Sequence, residues 1–164
     1  MLGELYNFPE GTMAIGRLDE HSEGLLLLTM DGKTSESLRS KKVEKEYFVQ
    51  MDGSITKNAI EKLRGGLMIN VKGEDYQTQP CLVELIDPPT LPDRAKKIRD
   101  ERHGPTSWVS ITLTEGKFRQ VRKMTAAVGF PTLRLVRVRI GAVKLGDMKP
   151  EQVLEVEQFG LGYS

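Results

Sequence analysis

Residues 108–114 (WVSITLT) put Val109, Ile111 and Leu113 on one face and Ser110, Thr112 and Thr114 on the other, the period-two pattern of a β-strand. A run with helical spacing follows over 118–128, and a second strand-like run over 133–140. Upstream, 12–18 and 24–29 read as short buried strands on either side of a polar loop, 19–23. Asp31-Gly32 signals a turn, and 33–39 a short helix. Residues 46–51 form a further strand, with Tyr47 and Val49 on one face and Phe48 on the other. Thr56 opens a helix carrying Ala59, Ile60 and Leu63 on one side, and Gly65-Gly66 ends it. A strand over 80–86 leads into the breaker run 87–92 and a charged, exposed excursion over 93–103. Strands interspersed with helices, without regular βαβ units, predict an α+β fold rather than a doubly wound sheet.

The helix over 118–128 sorts its side chains by angle. Phe118, Val121, Met124, Thr125 and Val128 share an apolar sector, while Arg119, Arg122 and Lys123 lie in the opposite half. Arg122 sits nearest the boundary, beside Phe118, and is best placed to reach into a partly buried cleft; Arg119 and Lys123 face outward. In the strand that follows, Leu135, Arg137 and Arg139 share one face, with Val136, Val138 and Ile140 on the other. The net charge of +1 conceals this clustering. Thirteen Lys or Arg stand against three acids between Arg94 and Lys144, and eleven against twenty in the remainder. Such a division fits either a phosphate-bearing partner or ordinary solvated surface.

Cys81 is the single cysteine, so no disulfide forms within the chain, and with His21 and His103 far apart in sequence a tetrahedral zinc site is not expected. No metal is expected. The longest apolar run, Leu25 to Leu28, is far short of a membrane span, and a basic-then-apolar leader is absent. A cytoplasmic protein making no membrane contact is the expectation. Asp19 closes Gly16-Arg17-Leu18-Asp19 at a strand end. There it serves either as a turn or capping residue, or as a reactive group held rigidly at a sheet edge.

The stretch 16–29 (GRLDEHSEGLLLLT) resembles the catalytic-aspartate motif of the pseudouridine synthases that act on bacterial ribosomal RNA. Lys45-Glu46-Tyr47 is similar to that family's Lys-x-Tyr strand, and 115–124 (EGKFRQVRKM) to its third motif, continuing through Gly129 to Gly141. Residues 105–108 and 129–135 resemble the branch that acts on the large ribosomal subunit. Clear resemblance covers 12–50 and 105–141. It implies a mostly antiparallel mixed sheet with flanking helices and a central cleft, forming one catalytic domain over 1–164. The small RNA-binding domain of many members is missing, as is the upstream strand with its Lys-Pro pair, and Met30 replaces the usual Asn. An N-terminally truncated chain is therefore expected.

The implied reaction isomerises uridine: the N-glycosidic bond breaks, the base turns, and a carbon–carbon bond forms. By resemblance Asp19 is the essential carboxylate, either as nucleophile or by stabilising the departing base. Arg122 is the cation that holds it ionised. Tyr47 packs on the target base and assists its deprotonation, although it is equally a strand's core aromatic. Arg17 contacts RNA or is a plain strand-end residue; Leu133 lines the uracil pocket or is plain core. Arg119, Lys123, Arg134, Arg137 and Arg139 meet phosphates. Glu20, His21 and Glu23 fall to a solvated loop. No cofactor is required, the partner is large-subunit ribosomal RNA, and a monomer is expected. Two other readings compete: a metal-dependent RNA hydrolase built on Asp19, Glu20 and Glu23, and a non-catalytic ribosome-assembly module.

Overall fold

The computed structural model of the protein describes residues 13–15, 23–25, 27–29, 43–91, 104–117 and 119–145. In chain order these carry β1 (Met13–Ile15), β2 (Glu23–Gly24), β3 (Leu27–Thr29), β4 (Lys45–Asp52), α1 (Lys57–Gly65), β5 (Met68–Val71), β6 (Glu74–Gln77), β7 (Leu82–Ile86), β8 (Thr106–Leu113), α2 (Gln120–Ala127), β9 (Thr132–Ile140) and β10 (Val143–Lys144). The main sheet runs β10-β9-β4-β8-β7, antiparallel throughout, and β2 joins β9 in parallel. That is the mostly antiparallel mixed sheet of the expected α+β class.

The alternation in β8 sets the core. Val109, Ile111 and Leu113 meet Val49 and Met51 of β4, Val83 of β7 and Leu135 of β9; Ile60 and Leu63 of α1 and Val121 and Met124 of α2 close over them. Both helices therefore lie on one side of the sheet, each fully buried aliphatic chain contributing about 1.5–3 kcal/mol. The opposite face of β8 is covered as well, because Trp108, Ser110 and Thr112 are also buried. Helix α1 starts and stops where its sequence directs: the Thr56 hydroxyl accepts from the Ala59 N–H at 3.1 Å, and Gly66 ends it.

Four local expectations are corrected. The strand expected over 24–29 divides: β3 pairs with β1, while β2 leaves for the main sheet and takes Glu23 out of the solvated loop. Helix α2 begins at Gln120, because Arg119 adopts the left-handed conformation at φ 52°. Strand β9 does not alternate strictly. Glu46 faces Arg139 but Tyr47 faces Arg137, so Val138 is an extra residue. This bulge turns Arg137 and Arg139 to opposite faces, and the expected basic face does not form. The fourth is a hairpin, β5–β6, where no element was expected. The expected helix over 33–39 lies outside the described residues, as do 93–103 and Phe118.

Candidate active site

Gly24 is where β2 meets β9, and its geometry excludes any side chain. It sits at φ +108°, and a Cβ there would stand 2.2 Å from the Arg137 carbonyl oxygen and 2.6 Å from the Arg137 nitrogen. Backbone against backbone at this separation is what glycine permits. The Leu25 N–H donates to the Arg137 carbonyl at 2.9 Å, and Arg137 Nε returns a bond to the Leu25 carbonyl at 2.7 Å. One residue earlier, the Glu23 carboxylate accepts from Arg134 Nε and Nη2, both at 2.9 Å. Residues 23–25 are thus fastened to β9 by an ion pair, a glycine contact and two bonds involving Arg137.

Tyr47 of β4 lies opposite Arg137 of β9, on the helix-bearing face, half-buried at the margin of the core. Lys45 lies two residues away on the same face. Its Nζ donates to the carbonyls of Glu115 at 3.4 Å and Thr114 at 3.5 Å, bracing the corner that leads into α2. Burial, then the Arg137 guanidinium, push the Lys45 ammonium below its ordinary range. The neighbourhood of Tyr47 is therefore positively charged and partly dehydrated, a setting that favours an anion.

On α2, Val121, Met124 and Thr125 are buried. Arg122 is half-buried with its Nε closed off from solvent, in keeping with its place at the edge of the apolar sector. Lys123 was expected to face outward; instead it is half-buried and its Nζ donates to the Asn70 carbonyl of β5 at 2.7 Å. Arg119 is half-buried ahead of the helix, and Leu133 half-buried at the second register shift of β9. Three of the cations expected at phosphates have partners within the protein. Arg139 is drawn onto Glu46 at 3.1 Å, on the face away from Tyr47, and Arg137, 5% exposed, is shut inside. Arg134 is likewise committed to Glu23. Arg17 and Asp19 lie outside the described residues.

Sequence reasoning assigned no part to Glu115, which joins α2 to the β5–β6 hairpin. Its carboxylate accepts from the Tyr76 hydroxyl, from the Gln79 N–H at 2.8 Å and from Gln120 Nε2 at 3.0 Å. The only prior signal was its position in the third motif. The hydrogen bond to Glu115 is the main reason the Tyr76 phenol is pushed up to about 12. The native state therefore favours the neutral phenol. That contribution to stability is complete below pH 10, the ordinary value, and is lost as pH rises from there through about 12. Near-ultraviolet titration of phenolate, compared with Tyr76→Phe, should show one tyrosine ionising late, and Glu115→Gln should bring it back towards 10.

Among the described residues, no group of three His, Cys, Asp or Glu could hold a metal ion, and no helix is long and apolar enough to cross a membrane. Glu23, one of three carboxylates in the hydrolase reading, is occupied by Arg134, which weakens that reading.

The model of the family described as RNA pseudouridylate synthase matches residues 3–127. The chain is 46% identical over 146 residues to ribosomal large subunit pseudouridine synthase E of Vibrio parahaemolyticus, covering 88% of this chain and 60% of that protein. It is 43% identical over 148 residues to the protein of the same name from Xanthomonas axonopodis pv. citri, covering 88% and 76%. A solved pseudouridylate synthase superposes with a TM-score of 0.69 at 28% identity, over 88% of this chain and 56% of that one. The chain thus spans about 60% of the length of the Vibrio relative.

Proposed function

The chain belongs to the RNA pseudouridylate synthase family, and we propose that it converts a uridine of large-subunit ribosomal RNA into pseudouridine. The observation that carries this reading is the fastening of residues 23–25 to β9, across from Tyr47. Asp19 is four residues upstream of Glu23, so covalent geometry keeps it within about 14 Å of that junction.

In this reading the target uridine leaves its stack and enters beside Tyr47. Asp19 supplies the carboxylate that acts as the glycosidic bond breaks, and Arg122 keeps it ionised against the effect of burial. The freed uracil turns and bonds to the anomeric carbon through a ring carbon. That carbon loses its proton with help from Tyr47, and the former glycosidic nitrogen gains one, so atoms balance without a cofactor. Leu133 lines the uracil pocket, Arg17 contacts the RNA that the base vacates, and Arg119 and Lys123 meet phosphates.

Incubating the chain with large-subunit ribosomal RNA transcripts and mapping pseudouridine by carbodiimide-blocked primer extension tests the reading. One new modified position is the expected result; salt-sensitive binding without modification would instead favour the assembly-module reading.

Arg119 gives a second test. A left-handed arginine costs about 1–2 kcal/mol that glycine does not, so Arg119→Gly should raise stability by about 1 kcal/mol in urea unfolding. If Arg119 meets phosphate, the same variant should bind RNA more weakly, with the logarithmic salt slope reduced by about one.

A further inference from the structure

We infer that Arg134 and Arg137 are positioning residues that hold the segment leaving Asp19, and that neither is an RNA contact. This rests on the reading of Asp19 as the reactive carboxylate. Family resemblance placed both arginines among the phosphate contacts, and their surroundings point elsewhere. Arg134 presents its Nε and Nη2 edge to the two oxygens of Glu23, a planar two-point match, with side-chain exposures of 14% and 24%. Arg137 is 5% exposed, and its Nε holds the Leu25 carbonyl rather than pointing to solvent. Between these anchors lies Gly24, in backbone contact with Arg137. Three consecutive residues are therefore tied to one strand by three different devices, directly downstream of the reactive position.

The arrangement has a chemical use. A short parallel pairing of two residues is weak alone, and Glu23–Gly24 is all there is of β2. The ion pair and the Arg137 bond supply what so short a ladder lacks. A carboxylate that must approach a reacting carbon within a fraction of an ångström needs such a base, since a displacement of about 1 Å can cost on the order of 100-fold in rate.

The test uses the full chain with ribosomal RNA, measuring single-turnover conversion at saturating enzyme and RNA affinity at fixed salt. Glu23→Gln and Arg134→Gln should each slow conversion by on the order of 100-fold, with affinity changed less than about twofold and the shape of the pH–rate profile unchanged. Exchanging the pair, with Glu23→Arg and Arg134→Glu together, should restore conversion to within about tenfold of the parent, as coupled partners do in double-mutant cycles. Arg134→Lys, which keeps the charge and loses the two-point geometry, provides a milder variant should the others unfold. A marked loss of affinity in Arg134→Gln, with Glu23→Gln unaffected and no recovery in the exchange, would overturn the proposal in favour of a phosphate contact. Full activity in Asp19→Asn would instead sink the reading of Asp19, leaving the effect of the pair on conversion separately measurable.

Discussion

Asp19→Asn is expected to abolish pseudouridine formation, lowering single-turnover conversion by on the order of 10⁴-fold or more, as removal of a reacting group does in other enzymes. Asparagine matches aspartate in shape but carries no charge. It can neither add to the anomeric carbon nor balance charge on a departing base, so both roles proposed for Asp19 fail together. Affinity for RNA should hold, because it derives from cations meeting phosphates and not from this carboxylate. Conversion assays paired with filter binding at fixed salt separate the two. A variant that still converts uridine within tenfold of the parent would place the chemistry on another residue.

Gly24→Ala is expected to come second in size and by a different route. The added methyl group would meet three backbone atoms of Arg137 at 2.2, 2.6 and 2.9 Å, at a φ that L-residues rarely adopt. Strand β9 cannot retreat, since its other edge is paired with β4 along Met51 to Lys45. Residues 23–25 must leave instead, losing the bonds between Leu25 and Arg137. Conversion should fall by on the order of 100-fold or more, with a loss of about 3 kcal/mol in urea unfolding. Gly73→Ala is the control: its φ is +88° but nothing lies within 4 Å, so only the strain of about 1–2 kcal/mol should register. Equal effects of the two substitutions would show that the contact with β9 is unimportant.

Patterns with a local cause were legible in the sequence. The period of β8, the aromatic and apolar run of β4, and the Thr56 cap with Ala59, Ile60 and Leu63 behind it depend on neighbours a few residues away. The β5–β6 hairpin was not legible because Ile69 is the one buried residue in its eight strand positions, too little for a period to show. The bulges of β9 depend on register with β4, which no single strand encodes. Helical angle placed Arg122 at the edge of the apolar sector, where its Nε is enclosed, but did not foresee that Arg119 would lie outside the helix or that Lys123 would be half-buried; Asp19 rests on resemblance. The partners of Arg134 and Arg137 were not legible for a physical reason, since an arginine's pattern within its own strand does not disclose whether a distant carboxylate or carbonyl will claim it.

The partners that hold residues 23–25 are separated from them by 111 and 112 positions in sequence. Contacts this distant form slowly, because a long loop must close before they contribute. During synthesis from the N-terminus, β4, β7 and β8 can pair while β9 is still unmade, and the stretch after Asp19 then has no strand to lie on. On the proposed reading, competence to modify RNA therefore depends on an event late in the making of the chain. A nascent chain that ends before β9 should carry a recognisable hairpin core and still leave every uridine it meets unchanged.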